Sequence, residues 1–138
     1  MVDREVFDRR LGKLEELLRD LRRLATAPKR EFLRDRSAQA QAERWLHLAA
    51  ECTLDLANHL IADRGWRTPA AYRESFQILR EEGVLSEELA TKMEGWAELR
   101  NVLVHLYLNV DHERVWQILA DDLNQLEEFA AAMARALE

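Results

Sequence analysis

The sequence predicts an all-α chain, an up-and-down bundle of about five helices, and three observations lead there. Apolar residues return every three or four positions over long windows. Four Gly and two Pro in 138 residues leave few breaks, most of them between the periodic stretches. No segment alternates with period two for long enough to be a strand. Short connections suit antiparallel neighbours, and the length suits one core, so residues 1–138 are expected to form a single domain.

In the first helix Phe7, Leu11, Leu14, Leu18, Leu21 and Ala25 keep a 4-3 spacing that places all six on one face. Ala27-Pro28 ends it, because the residue before a proline is steered away from the α region. A second helix is expected over about 29–64. Across 45–62 its apolar residues cover half the circumference, as in a helix touched from several sides, and Gly65 suits its stop. Thr68 is placed to cap a third helix, with Pro69 at its first position, Phe76 and Leu79 facing inward and Gly83 at its end. Ser86 opens a fourth, where Glu87 and Glu88 complement the helix dipole. Its stripe is Leu89, Met93, Trp96, Leu99 and Leu103, and it should break near Asn109. Asp111 caps the fifth, which carries Val115, Leu119, Leu123, Leu126, Phe129 or Ala130, Met133 and Leu137. Trp45, Trp96 and Trp116 sit on apolar stripes as core residues, while Trp66 can be a lid or a contact residue.

Composition narrows the function. With 48% apolar and 33% charged residues the chain reads as globular, and its first residues resemble no signal peptide. No apolar run is long enough for a membrane span, so a cytoplasmic location is expected. The lone Cys52 suits a small buried hydrophobe. A net charge of −6 argues against a broad nucleic-acid surface, although residues 1–44 hold 12 Lys/Arg against 9 Asp/Glu. Arg19, Arg22, Arg23, Lys29, Arg30, Arg34 and Arg36 are read as an outer helix face diluted by Asp20, Glu31 and Asp35.

Phosphate-binding glycine loops, nucleophile elbows and HExxH are all missing. The second helix does carry His47, Glu51, Asp55, His59 and Asp63 at intervals of four. Residues at that spacing are neighbours and could hold a metal, but the line drifts about 40° per step and does not converge. It is read as a solvated stripe or a wet seam, with no metal expected and Glu51 and Asp55 as candidate cleft-lining residues.

The stretch "LRNVLVHLY" is the more informative one. Arg100, Asn101, His105 and Tyr107 interrupt an apolar run that needs none of them. Around a regular helix Asn101 and His105 fall side by side, Tyr107 nearly eclipses Arg100, and Arg100 and His105 stand about 140° apart. Singly, each has an ordinary role: an ion pair, a hydrogen-bonded core histidine, an aromatic with a polar tip. Chance rarely assembles all four together, and they project close to a helix end, where a cleft can form.

The block Arg-Asn-x3-His-x-Tyr resembles the signature of the HEPN superfamily, and more narrowly the HepT-like toxins of HepT–MNT toxin–antitoxin modules. "FLRD", "AECTLDLANHLIAD" and "NVDHERVW" extend the likeness over most of the chain. The resemblance implies a metal-independent, cofactor-free endoribonuclease that works as a homodimer, with two copies of the motif facing each other across a cleft, and leaves room for a larger assembly. In that scheme His105 is the general acid/base, Arg100 stabilises the charge of the phosphorane-like transition state, and Asn101 orients the histidine or binds the phosphate. The ribose 2′-hydroxyl is the nucleophile. Tyr107 is where an MNT-type nucleotidyltransferase antitoxin attaches AMP, placing an anionic group over the phosphate site. RNA and that antitoxin are the implied partners. The alternative for the same residues is a non-catalytic HEPN module that binds a nucleotide or docks on a nucleotidyltransferase; a third is a scaffold whose polar seam specifies dimerisation.

Overall fold

The computed structural model describes residues 3–105 and 109–138, and within them the chain is helical with no strand. Seven helices follow in order: α1 (Arg4–Leu24), α2 (Lys29–Phe32), α3 (Arg36–Arg64), α4 (Tyr72–Glu81), α5 (Glu87–His105), α6 (His112–Asp121) and α7 (Leu123–Ala136). α1 lies along α3, α4 packs on α5, and α3 touches α5, α4 and α7, so α3 is the central rod. One hydrophobic cluster draws on all seven, with Phe7, Phe32, Phe76 and Phe129 fully buried. No described helix is long and apolar enough to cross a membrane.

The expected caps act where the sequence put them. Asp111 Oδ1 accepts from the backbone N–H groups of Glu113 and Arg114, and Ser86 Oγ accepts from that of Leu89. Gly65 and Gly83 both take positive φ, 67° and 79°. Around each, the following residue's N–H reaches five residues back, Trp66 to Ile61 and Val84 to Leu79, which closes the helix end.

Five helices become seven for local reasons. The expected helix over 29–64 is broken at Leu33, because Asp35 leaves the helix to cap α3 through the Ala38 N–H at 3.0 Å. At the break the Phe32 carbonyl accepts from the Asp35 N–H at 3.2 Å and from the side chain of buried Gln39 at 3.0 Å, so that group is satisfied. The expected fifth helix divides at Asp122, a short polar side chain with low helix preference; the apolar stripe runs on through the division, with Val115, Leu119, Leu123, Leu126, Phe129, Ala130 and Met133 all buried. Asn109 and Val110 lie outside any helix, as the expected break required.

The start of α4 differs from expectation. Thr68 and Pro69 stay in the loop, and the helix begins at Tyr72 with no side-chain cap on Ala71. Glu74 replaces the cap by accepting from the Ala70 N–H at 3.2 Å. Arg67 holds this loop down: its Nε and Nη2 grip the two oxygens of Glu81 at 3.0 and 2.9 Å, and Nη1 pairs with Glu74. Those bonds pull the Glu74 and Glu81 carboxyls below their ordinary range and lift the Arg67 guanidinium further.

Trp96 is buried as expected and donates from Nε1 to Gln125 at 2.9 Å, whereas Trp45 and Trp116 are only half-buried. Trp66 packs against the core as a half-buried lid. Part of the basic face of α1 and α2 is committed to ion pairs, Arg22 to Glu127 at 2.6 Å and Arg23 to Asp20 at 2.5 Å.

Candidate functional site

Arg100 sits four residues before the last residue but one of α5, on the side that meets α3, and its side chain is about one-fifth exposed. Its Nε donates to Glu51 Oε1 on α3 at 2.5 Å, and its Nη1 donates to Asn101 Oδ1 at 3.1 Å. The guanidinium carbon lies 5.0 Å above the ring centroid of Tyr72, at the start of α4. Three helices thus fix one cation. An ammonium could not do this, because only a planar fork can bond edge-on to a carboxylate while lying flat on a ring. Among the described residues Nη2 makes no hydrogen bond, so one arm of the fork remains for an anion.

The chain of polar contacts continues past Glu51. His47 Nε2 is 3.3 Å from the same Oε1, and Arg44 Nη1 approaches His47 Nδ1 at 3.4 Å. Because arginine only donates, His47 Nδ1 is the acceptor and its Nε2 carries the proton toward Glu51. Glu51 is therefore shared between a histidine one turn back on its own helix and an arginine from across the bundle.

The line of polar residues on α3 separates, as its drift around the helix requires. His47 and Glu51 face α5, while His59, two steps further, has turned to α1, where Arg10 Nη1 donates to its Nδ1 at 2.9 Å and the edge of Phe7 meets its ring. Asp55 lies between and is exposed. Among the described residues it makes no hydrogen bond, so of the two candidate cleft-lining residues only Glu51 joins Arg100. Loss of surrounding water raises the Asp55 carboxyl above its usual range, against the pull of Arg10 and with a further push from Glu51. Cys52 is half-buried; burial first, then Asp55, pushes its thiol up, which makes it a poor nucleophile. No three His, Cys, Asp or Glu side chains among the described residues gather as a metal cluster would.

Of the other expected site residues, Asn101 is exposed beside Arg100, and His105 is the last residue of α5, roughly 7.5 Å of helix rise beyond Arg100. Tyr107 lies outside the described residues. Tyr72 went unnoticed in the sequence, since a single tyrosine at a helix start carries no periodic signal; its place over Arg100 exists only once α4 docks on α5. The large apolar side chains that stand exposed among the described residues are Tyr72, Val102 and Val104, at 48, 43 and 37%. All three belong to this end of α4 and α5.

Comparison with known proteins follows the geometry. A family model described as ribonuclease HepT-like matches residues 14–133. The mRNA nuclease HepT of Shewanella oneidensis is 25% identical over 99 residues, which cover 72% of this chain and 74% of that one. The tRNA nuclease HepT of Aphanizomenon flos-aquae is 25% identical over 120 residues, 87% of this chain and 82% of the relative. Among solved structures, the tri-AMPylated Shewanella oneidensis HEPN toxin in complex with MNT antitoxin superposes with a TM-score of 0.87 at 20% identity, covering 98% of this chain and 99% of that one.

Proposed function

Because the chain belongs to the HepT-like ribonuclease family, we propose that it is an endoribonuclease toxin that cuts RNA at a cleft shared by two copies and is silenced by a nucleotidyltransferase antitoxin. The observation that carries this reading is the way Arg100 is held: Glu51, Asn101 and Tyr72 fix its plane, while Nη2 makes no hydrogen bond among the described residues. A guanidinium preset in this manner costs no reorganisation when negative charge builds on a phosphate.

The chemistry is transesterification within the RNA strand. His105 takes the proton of a ribose 2′-hydroxyl, the oxygen attacks the adjacent phosphorus, and the bond to the 5′-oxygen breaks. That leaving oxygen receives a proton, giving a 2′,3′-cyclic phosphate and a 5′-hydroxyl, with no metal required. Arg100 steadies the charge on the non-bridging oxygens, and Asn101, whose own oxygen is engaged by Arg100, has an NH₂ to offer the phosphate or the histidine.

A second copy answers a geometric difficulty. On a regular helix positions 100 and 105 are about 140° apart, so one chain does not easily bring both residues to the same phosphate. Val102 and Val104 are exposed near the same helix end, though two positions apart and so on different sides of α5, and they leave apolar surface there for a two-fold partner to cover. Tyr107 is the residue we assign to AMP attachment: the MNT-type partner transfers AMP from ATP to the phenolic oxygen and releases pyrophosphate, which adds an anionic group to the motif.

The test is direct. Purified protein in EDTA cuts RNA to cyclic-phosphate ends, and His105→Ala or Arg100→Ala lowers the rate by about two orders of magnitude or more. Cleavage that survives His105→Ala unchanged removes the catalytic assignment.

A further inference from the structure

A groove of about 360 Å³ opens between α3, α4 and α5, lined among others by Asn58, Tyr72, Arg73, Glu98 and Asn101. It adjoins Arg100 and shares Asn101 and Tyr72 with the site above, but the chemistry above gives the groove itself no occupant. Two of its polar groups are set by their neighbours. The Ser75 hydroxyl, fully buried, donates to Asn58 Oδ1 at 2.6 Å, and Arg100 Nη1 donates to Asn101 Oδ1 at 3.1 Å. Both carboxamide oxygens are thereby occupied, and neither NH₂ group makes a hydrogen bond among the described residues. The groove consequently offers donors, and its ligand should present acceptors.

The groove also has an aromatic surface. Tyr72 is half-exposed, and the Arg100 guanidinium lies over one face of its ring. An ion pair between Arg73 and Glu98, at 3.2 Å, ties α4 to α5 across the same groove, and the Arg67 clamp on Glu74 and Glu81 steadies the loop that supplies residues 69–71. A flat ligand with acceptors along one edge, placed next to an anion on Arg100, satisfies all of these features. A nucleobase one step along the strand from a bound phosphate is such a ligand.

We propose that this groove is a base-binding subsite, which seats one nucleobase of single-stranded RNA stacked on Tyr72 and met at its edge by the amide donors of Asn58 and Asn101. That the neighbouring phosphate is the one cut rests on the ribonuclease reading; the seating of the base does not. Stacking is tolerant of base identity, because every base has a π-face, so Tyr72 sets affinity. Asn58 sets preference, because its donors reward only bases with acceptors facing them.

The experiment measures binding of 2′-O-methyl RNA hexamers, which lack the attacking hydroxyl, to the full chain by fluorescence anisotropy. One abasic position is moved along the hexamer. In the wild type a single abasic position weakens binding about tenfold. Tyr72→Ala weakens the intact hexamer by the same factor and makes it indifferent to the abasic position, while Tyr72→Phe behaves as wild type. Asn58→Ala flattens the ranking of the four bases at that position. An abasic penalty of equal size in wild type and Tyr72→Ala, or no penalty anywhere, overturns the subsite, as does failure of the wild type to bind. Cleavage of the matching 2′-hydroxyl RNA is scored separately. Abasic coupling without cleavage keeps the subsite and refutes the ribonuclease reading, and cleavage without coupling does the reverse.

Discussion

Glu51 is the residue whose removal tests the site's construction most sharply. Its Oε1 receives the Arg100 Nε at 2.5 Å and lies 3.3 Å from His47 Nε2, with the two partners of the ion pair about one-fifth and one-third exposed. Charge-assisted bonds of this kind contribute about 1.5–3 kcal/mol when sheltered, and exposed pairs well under 1 kcal/mol. At this exposure we take about 1–2 kcal/mol for Glu51→Ala, which corresponds to a Tm lower by roughly 3–8 °C for a chain of this size. Glu51→Gln keeps an acceptor for Nε but not its charge, and should lose about half as much. The larger effect is expected on catalysis. Without its strut the Arg100 fork can rotate off the phosphate, and loose positioning of a catalytic group costs up to about 100-fold. The assay is kcat/KM on a short RNA beside a thermal melt, with the loss expected mainly in kcat. If Glu51 instead withholds Arg100 from RNA, Glu51→Gln will match or exceed the wild-type rate, and the positioning argument fails.

Three further outcomes follow from the same structure. When Arg100→Ala and His105→Ala subunits are mixed and re-equilibrated, statistical dimers that pair Arg of one copy with His of the other regain about a quarter of the wild-type rate; no recovery places both residues in one chain's site. The Asp55 carboxyl is raised in the fold, so the folded state holds its proton more tightly than the unfolded one and stability falls as pH rises through the folded pKa. Asp55→Asn therefore raises Tm by about 1–2 °C at neutral pH, and the gain disappears in acid below the unfolded pKa; an equal gain at both pH values excludes titration as its source. Incubation with an MNT-type partner and ATP adds AMP to the wild type and not to Tyr107→Phe by intact-mass spectrometry, and equal labelling of the two reassigns the acceptor.

Much of the bundle was legible because its signals are local. Asp111, Ser86, Gly65 and Gly83 act within one turn of themselves, and a stripe such as Leu119 to Met133 declares its face by period alone. Asp35 and Asp122 were legible in principle, since each is a helix-weakening residue, but their effect depended on what else could satisfy the freed backbone. Gln39 bonding the Phe32 carbonyl is a contact across seven residues that no periodicity reveals. Within the site, the adjacency of Arg100 and Asn101 could be read directly. Which member of the α3 line meets Arg100 could not, because it depends on the rotation of α3 against α5. The same rotation decides that Glu51 joins the site while Asp55 is left outside. Tyr72 and the groove beside it arise from the docking of three helices, and no one of them carries the pattern.

Tyr72, Val102 and Val104 stand exposed at one end of the molecule, beside the arginine rather than scattered over its surface. Where a working cleft needs two such ends pressed together, activity at low abundance rises with the square of the protein concentration rather than in proportion to it. A cell that makes few copies would then hold mostly inert monomers, and a modest fall in the rate of removal could carry the population across a threshold. Dosage becomes a form of control in its own right, acting before any antitoxin does.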